Sequence, residues 1–162
     1  LKICASIAPP SQSPETLVLR LKDDKVRNIK DDTQKIIEYS IELANELLVE
    51  FQEFFPFAVA INLNGEIVPI NYFDGNDHPD STDLLNNLET LLDEQLSKNE
   101  KRAYAITYDV RIQKNSLSEK VDAIAIKIKQ TETKEVLLCY FAYKLVEQNR
   151  LEHLDSWREV VT

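Results

Sequence analysis

The sequence predicts an α+β domain: an antiparallel sheet of about five or six strands with two amphipathic helices packed on one face. Three observations carry that expectation. Strand-like segments joined by short turns run in succession, two stretches of helical periodicity interrupt them, and one segment holds Asn-Gly between apolar runs, the signature of a β-hairpin. With 162 residues and 43% apolar side chains, one domain with a substantial core is expected. It is assigned to residues 16–162, after an N-terminal arm over 1–15.

Three prolines within residues 9–14 deny both helix and central strand, so that segment reads as extended arm. Alternation in Thr16-Leu17-Val18-Leu19-Arg20-Leu21 predicts a short strand, and Lys22-Asp23-Asp24-Lys25 a polar turn. From about Asp32, apolar residues recur at Ile37, Ile41, Ala44, Leu48, Phe51 and Phe55, which predicts an amphipathic helix ended by Pro56. The hairpin follows, with strands over 57–63 and 66–73 and Asn64-Gly65 supplying the two positive φ angles of a type I′ turn. Because Pro69 cannot donate to a ladder, its strand belongs at an edge or at a bulge. After a loop from Asp74 to Ser81, the leucines Leu84, Leu88, Leu92 and Leu96 mark a second amphipathic helix. A three-stranded meander comes next, about 102–113, 121–130 and 135–145, and Leu151 to Val161 reads as a short terminal helix carrying Trp157. On the third of these strands, Cys139 lies in an apolar run and reads as a small buried hydrophobe.

Composition excludes several function classes. Gly65 and Gly75 are the only glycines, so neither a GxGxxG nor a GxxxxGK[ST] phosphate cradle exists. No apolar run approaches the ~20 residues that span a bilayer. A net charge of -9 disfavours nucleic acid and anionic membranes as partners. Two cysteines do not make the disulfide framework of a small secreted domain, and Leu1 to Ala8 is too short for the three regions of a signal peptide; a cytoplasmic location is expected. No motif for a cofactor is present.

Charge placement is more informative than any motif. Residues 31–54 hold seven acids and one base, and residues 74–100 hold eight acids and one base, so both helices are acidic. Residues 101–130 hold seven bases and three acids. In the first helix Glu38, Glu42, Glu46 and Glu50 follow at i+4, and each like-charged step destabilises an isolated helix by about 0.2–0.5 kcal/mol. Either bases of the chain, such as Lys22, Lys25 or Arg27, offset the row from within, or a basic partner does so from outside. Asp83, Asp93 and Glu94 of the second helix join the row as candidate partner-binding residues.

A second constellation offers a small-ligand or catalytic alternative. Asp109 and Arg111 share a strand face, Asp122 opens the next strand, and His78 is one of two histidines. An acid and a base paired across a sheet can hold a carboxylate or phosphate; the structural alternative is a cross-strand ion pair contributing about 0.2–1 kcal/mol. The loop from Asp74 to Asp80 gathers three carboxylates but lacks the EF-hand ligand order and the His or Cys that zinc prefers, so no metal is expected.

Across 35–147, the segments Phe54-Phe55-Pro56-Phe57, Asn64-Gly65, Tyr72-Phe73-Asp74-Gly75 with His78-Pro79, Tyr108-Asp109-Val110-Arg111 and Asp122-Ala123-Ile124-Ala125-Ile126 resemble a group of small bacterial α+β domains without an assigned activity. The resemblance implies a bacterial cytoplasmic domain. In size, acidity and lack of catalytic motifs the chain is also similar to the immunity proteins of bacterial toxin systems, which cover the active site of a cognate, often basic, toxin domain. That likeness implies a non-enzymatic protein whose partner is a basic toxin domain, and it assigns no residue. A third possibility, a structural or dimerising domain, predicts concentration-dependent mass and an uncovered apolar sheet face.

Overall fold

Ser13 and Pro14 begin the first helix. The Ser13 hydroxyl accepts a hydrogen bond from the Thr16 amide at 3.3 Å, and Pro14, with its preset φ, occupies the first turn, where its missing N–H costs nothing. In the computed structural model, which describes residues 13–162, helix α1 then runs unbroken over Pro14–Phe51. It ends at Gln52, whose positive φ of 65° and amide bond to the Leu48 carbonyl turn the chain out of the helix. The strand expected at 16–21 and the turn at 22–25 are therefore helical. Burial of Ile36, Ala44 and Leu48 secures the carboxyl half of α1, and extending a formed helix costs far less than nucleating one, so the Leu-, Arg- and Lys-rich residues before Asp32 join it. Cys4 and residues 1–12 of the expected arm lie outside the described residues; residues 14 and 15, assigned to the same arm, form the first turn of α1.

Six strands make one antiparallel sheet. They are β1 (Phe57–Ile61), β2 (Ile67–Ile70), β3 (Ala103–Ile112), β4 (Val121–Gln130), β5 (Val136–Val146) and β6 (Arg150–Val161), in the spatial order β2-β1-β3-β4-β5-β6. Helix α2 (Ser81–Ser97) connects β2 to β3, its first turn capped by Asp80, which accepts from the amides of Thr82 and Asp83. The α+β class, the hairpin between the helices and the meander after them thus stand as expected, and Pro69 lies on the edge strand β2. The turn of that hairpin differs. Only Gly65 has a positive φ, the Gly65 amide bonds to the Asn62 carbonyl and the Asn62 amide to the Glu66 carbonyl, so the loop has three residues with Gly65 in the left-handed position. Asn62 decides this, because its side chain accepts from the amides of Asn64 and Glu66 and closes the wider turn.

The terminal helix expected over 151–161 is strand β6. Gln148 and Asn149 take positive φ values of 65° and 54° and reverse the chain, which sets β6 against the open edge of β5. Trp157 stacks on its register partner Tyr140 at 5.2 Å between ring centroids. A register shift between Phe141 and Tyr143 then turns Leu151, which has the same parity as Trp157, to the opposite face of the sheet. Cross-strand pairing and this packing outweigh a marginal helical periodicity.

The helices lie on opposite faces of the sheet rather than on one. Helix α1 packs Ile36, Ala44 and Leu48 onto Val59, Ala105, Ile124 and Ile126, whereas α2 packs Leu84, Leu88 and Leu92 onto Ala60, Tyr104 and Ile106. Successive strand residues point to opposite faces, so β3 needs apolar or small side chains at both parities, and its run Ala103–Thr107 is buried throughout. From Tyr108 to Ile112 burial alternates, because this end of the sheet extends past the helices. Cys139 is buried in the α1-side core as a free thiol.

Candidate functional site

Three of the four acids of α2, Glu89, Asp93 and Glu94, are matched from within the chain. Glu89 accepts from Lys127 at 2.6 Å and Lys129 at 2.8 Å, and Asp93 accepts from Lys129 at 2.9 Å and from the Tyr104 hydroxyl at 2.6 Å. The basic residues of β4 thus face the α2 carboxylates across the sheet surface. Burial alone would raise the Glu89 carboxyl, but the two lysines outweigh it and hold the group below its ordinary range. Burial and the Asp93 hydrogen bond push the Tyr104 phenol well up, so it remains a donor. Glu94 pairs with Lys98 one turn along, and Asp83, in the first turn, is exposed. Asp93 and Glu94, expected as partner-binding residues, are therefore engaged internally.

The row on α1 is different. Glu38 accepts from Gln34 at 2.6 Å, while Glu42, Glu46 and Glu50 are exposed and no base among the described residues pairs with them. The bases suggested as internal compensation go elsewhere: Lys25 pairs with Glu132, and Arg27 lies 3.9 Å from Asp24. Beside the row runs an apolar groove of about 480 Å³ lined by Leu43, Leu47, Phe51, Phe54, Phe55 and Phe57. Its wall includes the tilted pair Phe54–Phe57, with centroids 5.7 Å apart.

The one acid of α1 that is buried, Asp32, is 4% exposed and receives the Arg102 guanidinium as a fork, with Nε at 3.0 Å and Nη2 at 2.7 Å from Oδ2. Arg102 also abuts Gly65, where an added Cβ would come within 3.0 Å of Nη1, and Lys35 donates to the Gly65 carbonyl at 2.8 Å. These ties lock the hairpin turn to α1. Nothing in the spacing of Asp32 and Arg102, 70 residues apart, announces the pair.

Where the sheet extends beyond the helices, a cleft of about 620 Å³ opens between the end of α1 and strands β3, β4 and β5. Asp109, Arg111 and Asp122 all line it, together with Glu53, Lys120 and Tyr143. Arg111 and Asp122 are register partners with Nη1 3.4 Å from Oδ1, and the Tyr143 hydroxyl donates to Asp109 at 2.8 Å. Asp109 is reached by solvent, yet partial desolvation and the charges of Asp122 and Glu53 raise its carboxyl above the usual range, against the Tyr143 and Val110 hydrogen bonds, which lower it. Tyr143 was not foreseen; it enters because β5 pairs Tyr143 with Asp122.

His78 does not join this cleft. It is exposed in the loop before α2, where its amide donates to Asn76 at 3.0 Å, the Asn76 amide donates to Asp74 and Asp80 caps the helix. The side chains of that loop serve its own backbone. Among the described residues no helix is long and apolar enough to cross a membrane. Comparison of the chain with protein-family models, with curated proteins and with solved structures found no match.

Proposed function

We propose that the protein is an acidic protein-binding domain of the bacterial cytoplasm, of the immunity type, whose carboxylate row Glu38, Glu42, Glu46 and Glu50 occupies the basic cleft of a cognate toxin domain. The observation that supports this reading is the contrast between the helices. Glu89, Asp93 and Glu94 of α2 have lysine partners in the chain, whereas Glu42, Glu46 and Glu50 find no base among the described residues on the outer face of a well-anchored helix. Such a face accelerates encounter with a basic partner and sets the orientation of docking. The test replaces Glu42, Glu46 and Glu50 with Gln and follows association with the purified product of the adjacent reading frame as salt is varied. The association rate is expected to fall and its salt dependence to flatten; an unchanged rate and salt slope would remove the row from the interface.

A second reading is favoured by the convergence of Asp109, Arg111 and Asp122 with Tyr143 in one cleft. That site would take a small ligand bearing an anionic group for Arg111 and a hydrogen-bond donor for Asp109, and His78 has no place in it. Calorimetric titration with small amino acids and phosphate esters tests it: binding that is lost in Asp109→Asn and Arg111→Ala supports the reading, and binding indifferent to both variants removes it.

A further inference from the structure

We propose that α1 is also a self-association element, and that the amino half of α1 from a second copy of this chain covers the apolar groove beside the Glu row. This goes beyond the partner-binding reading, stands without it, and makes self-association and partner binding alternative uses of the Glu row. The first fifteen residues of α1, Pro14 to Asn28, project past the sheet with every residue exposed in the described structure. They are nonetheless rich in large apolar side chains, including Leu17, Val18 and Leu21, the last of these 59% exposed. Those three lie at i, i+1 and i+4, on one side of the helix. An apolar strip of this kind on a projecting helix is interaction surface rather than scattered exposure.

The groove at the other end of the same helix is its counterpart. Phe51 is 59% and Phe55 54% exposed, and both belong to the apolar wall formed with Leu43 and Leu47. Charge selects between occupants. Residues 14–30 carry five bases and three acids, whereas residues 38–53 carry five acids and no base. Helix α1 is therefore basic at one end and acidic at the other, with apolar surface beside both. Parallel pairing of two such helices would set one acidic row against the other. Antiparallel pairing sets each basic half against the acidic half of its partner and repeats the contact by two-fold symmetry, which doubles the area buried toward the ~800 Å² per partner of a stable interface. Pairing about the helix midpoint brings Val18 opposite Leu47 and Pro14 opposite Phe51. The Leu17–Leu21 strip and the groove are then covered by one contact, with Arg20 and Lys22 available to the Glu row.

The experiment uses the purified full chain alone, so its outcome is independent of any basic partner. Mass is measured by sedimentation equilibrium across micromolar to submillimolar concentration, at low and high salt. A dimer is expected that dissociates as salt rises, and Leu21→Glu and Phe51→Glu, both at exposed positions, should each weaken it by about tenfold or more. Circular dichroism verifies that the variants remain folded. Orientation is tested in a Cys4→Ser background carrying Val18→Cys and Leu47→Cys: the two positions lie about 43 Å apart along one helix, so a disulfide between them forms only across an antiparallel pair. A chain that stays monomeric throughout, or a dimer that ignores both charged substitutions, would overturn the proposal. So would a dimer abolished instead by Val160→Glu, which would place the contact at the open edge of β6.

Discussion

Helices α1 and α2 have similar excesses of acid, cover opposite faces of one sheet, and use their carboxylates in opposite ways. On α2, Glu89 and Asp93 look inward along the sheet surface to Lys127, Lys129 and Tyr104. On α1 only Asp32 is buried, and Glu42, Glu46 and Glu50 stand in solvent. A count of acids therefore says little about which of them a partner can reach. A carboxylate opposite a lysine-bearing strand is already used, and one on the outer face of a helix whose inner face is packed is not.

Substitutions in each helix test these two uses of acid. Largest is the loss of packing under α2: Leu92→Ala removes a side chain with no exposure and should cost about 2–5 kcal/mol of unfolding free energy in urea. Leu17→Ala, on the projecting turns of α1, should change the stability of the monomer by no more than about 0.5 kcal/mol. Next comes Asp32→Ala, which leaves Arg102 without its carboxylate and should destabilise by about 2–4 kcal/mol, the lower part of the range reflecting partial access of water to the arginine. An equal stability for this variant and the parent would show that α1 is not anchored to the hairpin turn through this pair.

The third prediction concerns pH. The folded-state pKa of Glu89 lies below its ordinary value of 4.5, so ionisation of this group stabilises the fold. That contribution is complete above the ordinary value and is lost as pH falls through the lowered folded value. Asp109 has the opposite sign: its folded pKa is raised, so its ionisation disfavours the fold, and stability improves as it protonates. Glu89→Gln should thus lower stability at neutral pH and flatten the decline on acidification, whereas Asp109→Asn should steepen that decline. Chemical denaturation at a series of pH values measures both. Last comes the effect of relieving the α1 row. Changing Glu42 and Glu50 to Gln removes three like-charged i,i+4 steps and should stabilise the monomer by about 0.6–1.5 kcal/mol at low salt, with the gain fading as salt screens the row. A loss of stability would mean that these carboxylates have internal partners after all.

Much of the fold was legible before the structure. Asn-Gly between apolar runs announced the hairpin, Leu84 to Leu96 announced α2, and the short turns of the meander announced antiparallel neighbours. Two segments were misread for the same reason. In Thr16–Leu21, Leu17, Leu19 and Leu21 alternate as in a strand while Leu17, Val18 and Leu21 fit one side of a helix, and in Leu151–Val161 a spacing of three fits a helix as well as a strand with a register shift. Short apolar patterns carry both periods, and the choice falls to what lies next to them: a helix already formed downstream in one case, an open strand edge in the other. The helices cover opposite faces because Ala103–Thr107 of β3 carries apolar or small side chains at both parities, and burial alternates only beyond Thr107. The cleft was half legible. Asp109, Arg111 and Asp122 lie on strands joined by one turn, so their proximity follows from a local connection, but Tyr143 and Glu53 reach it through the next strand and the far end of α1.

Local patterns were enough for the α+β class, the Asn-Gly hairpin between the helices, the meander, the acidity of both helices and the absence of glycine-rich phosphate motifs. Each of these depends on residues within a few positions of one another, where periodicity, capping and turn chemistry act directly. Packing in three dimensions sets which face each helix covers, that Asp32 receives Arg102, that Lys127 and Lys129 match Glu89 and Asp93, and that Glu42, Glu46 and Glu50 find no base among the described residues. Those outcomes depend on distances between residues far apart in the chain, and a Coulombic or hydrogen-bonded partnership acts over a few ångströms of space whatever the separation along the sequence.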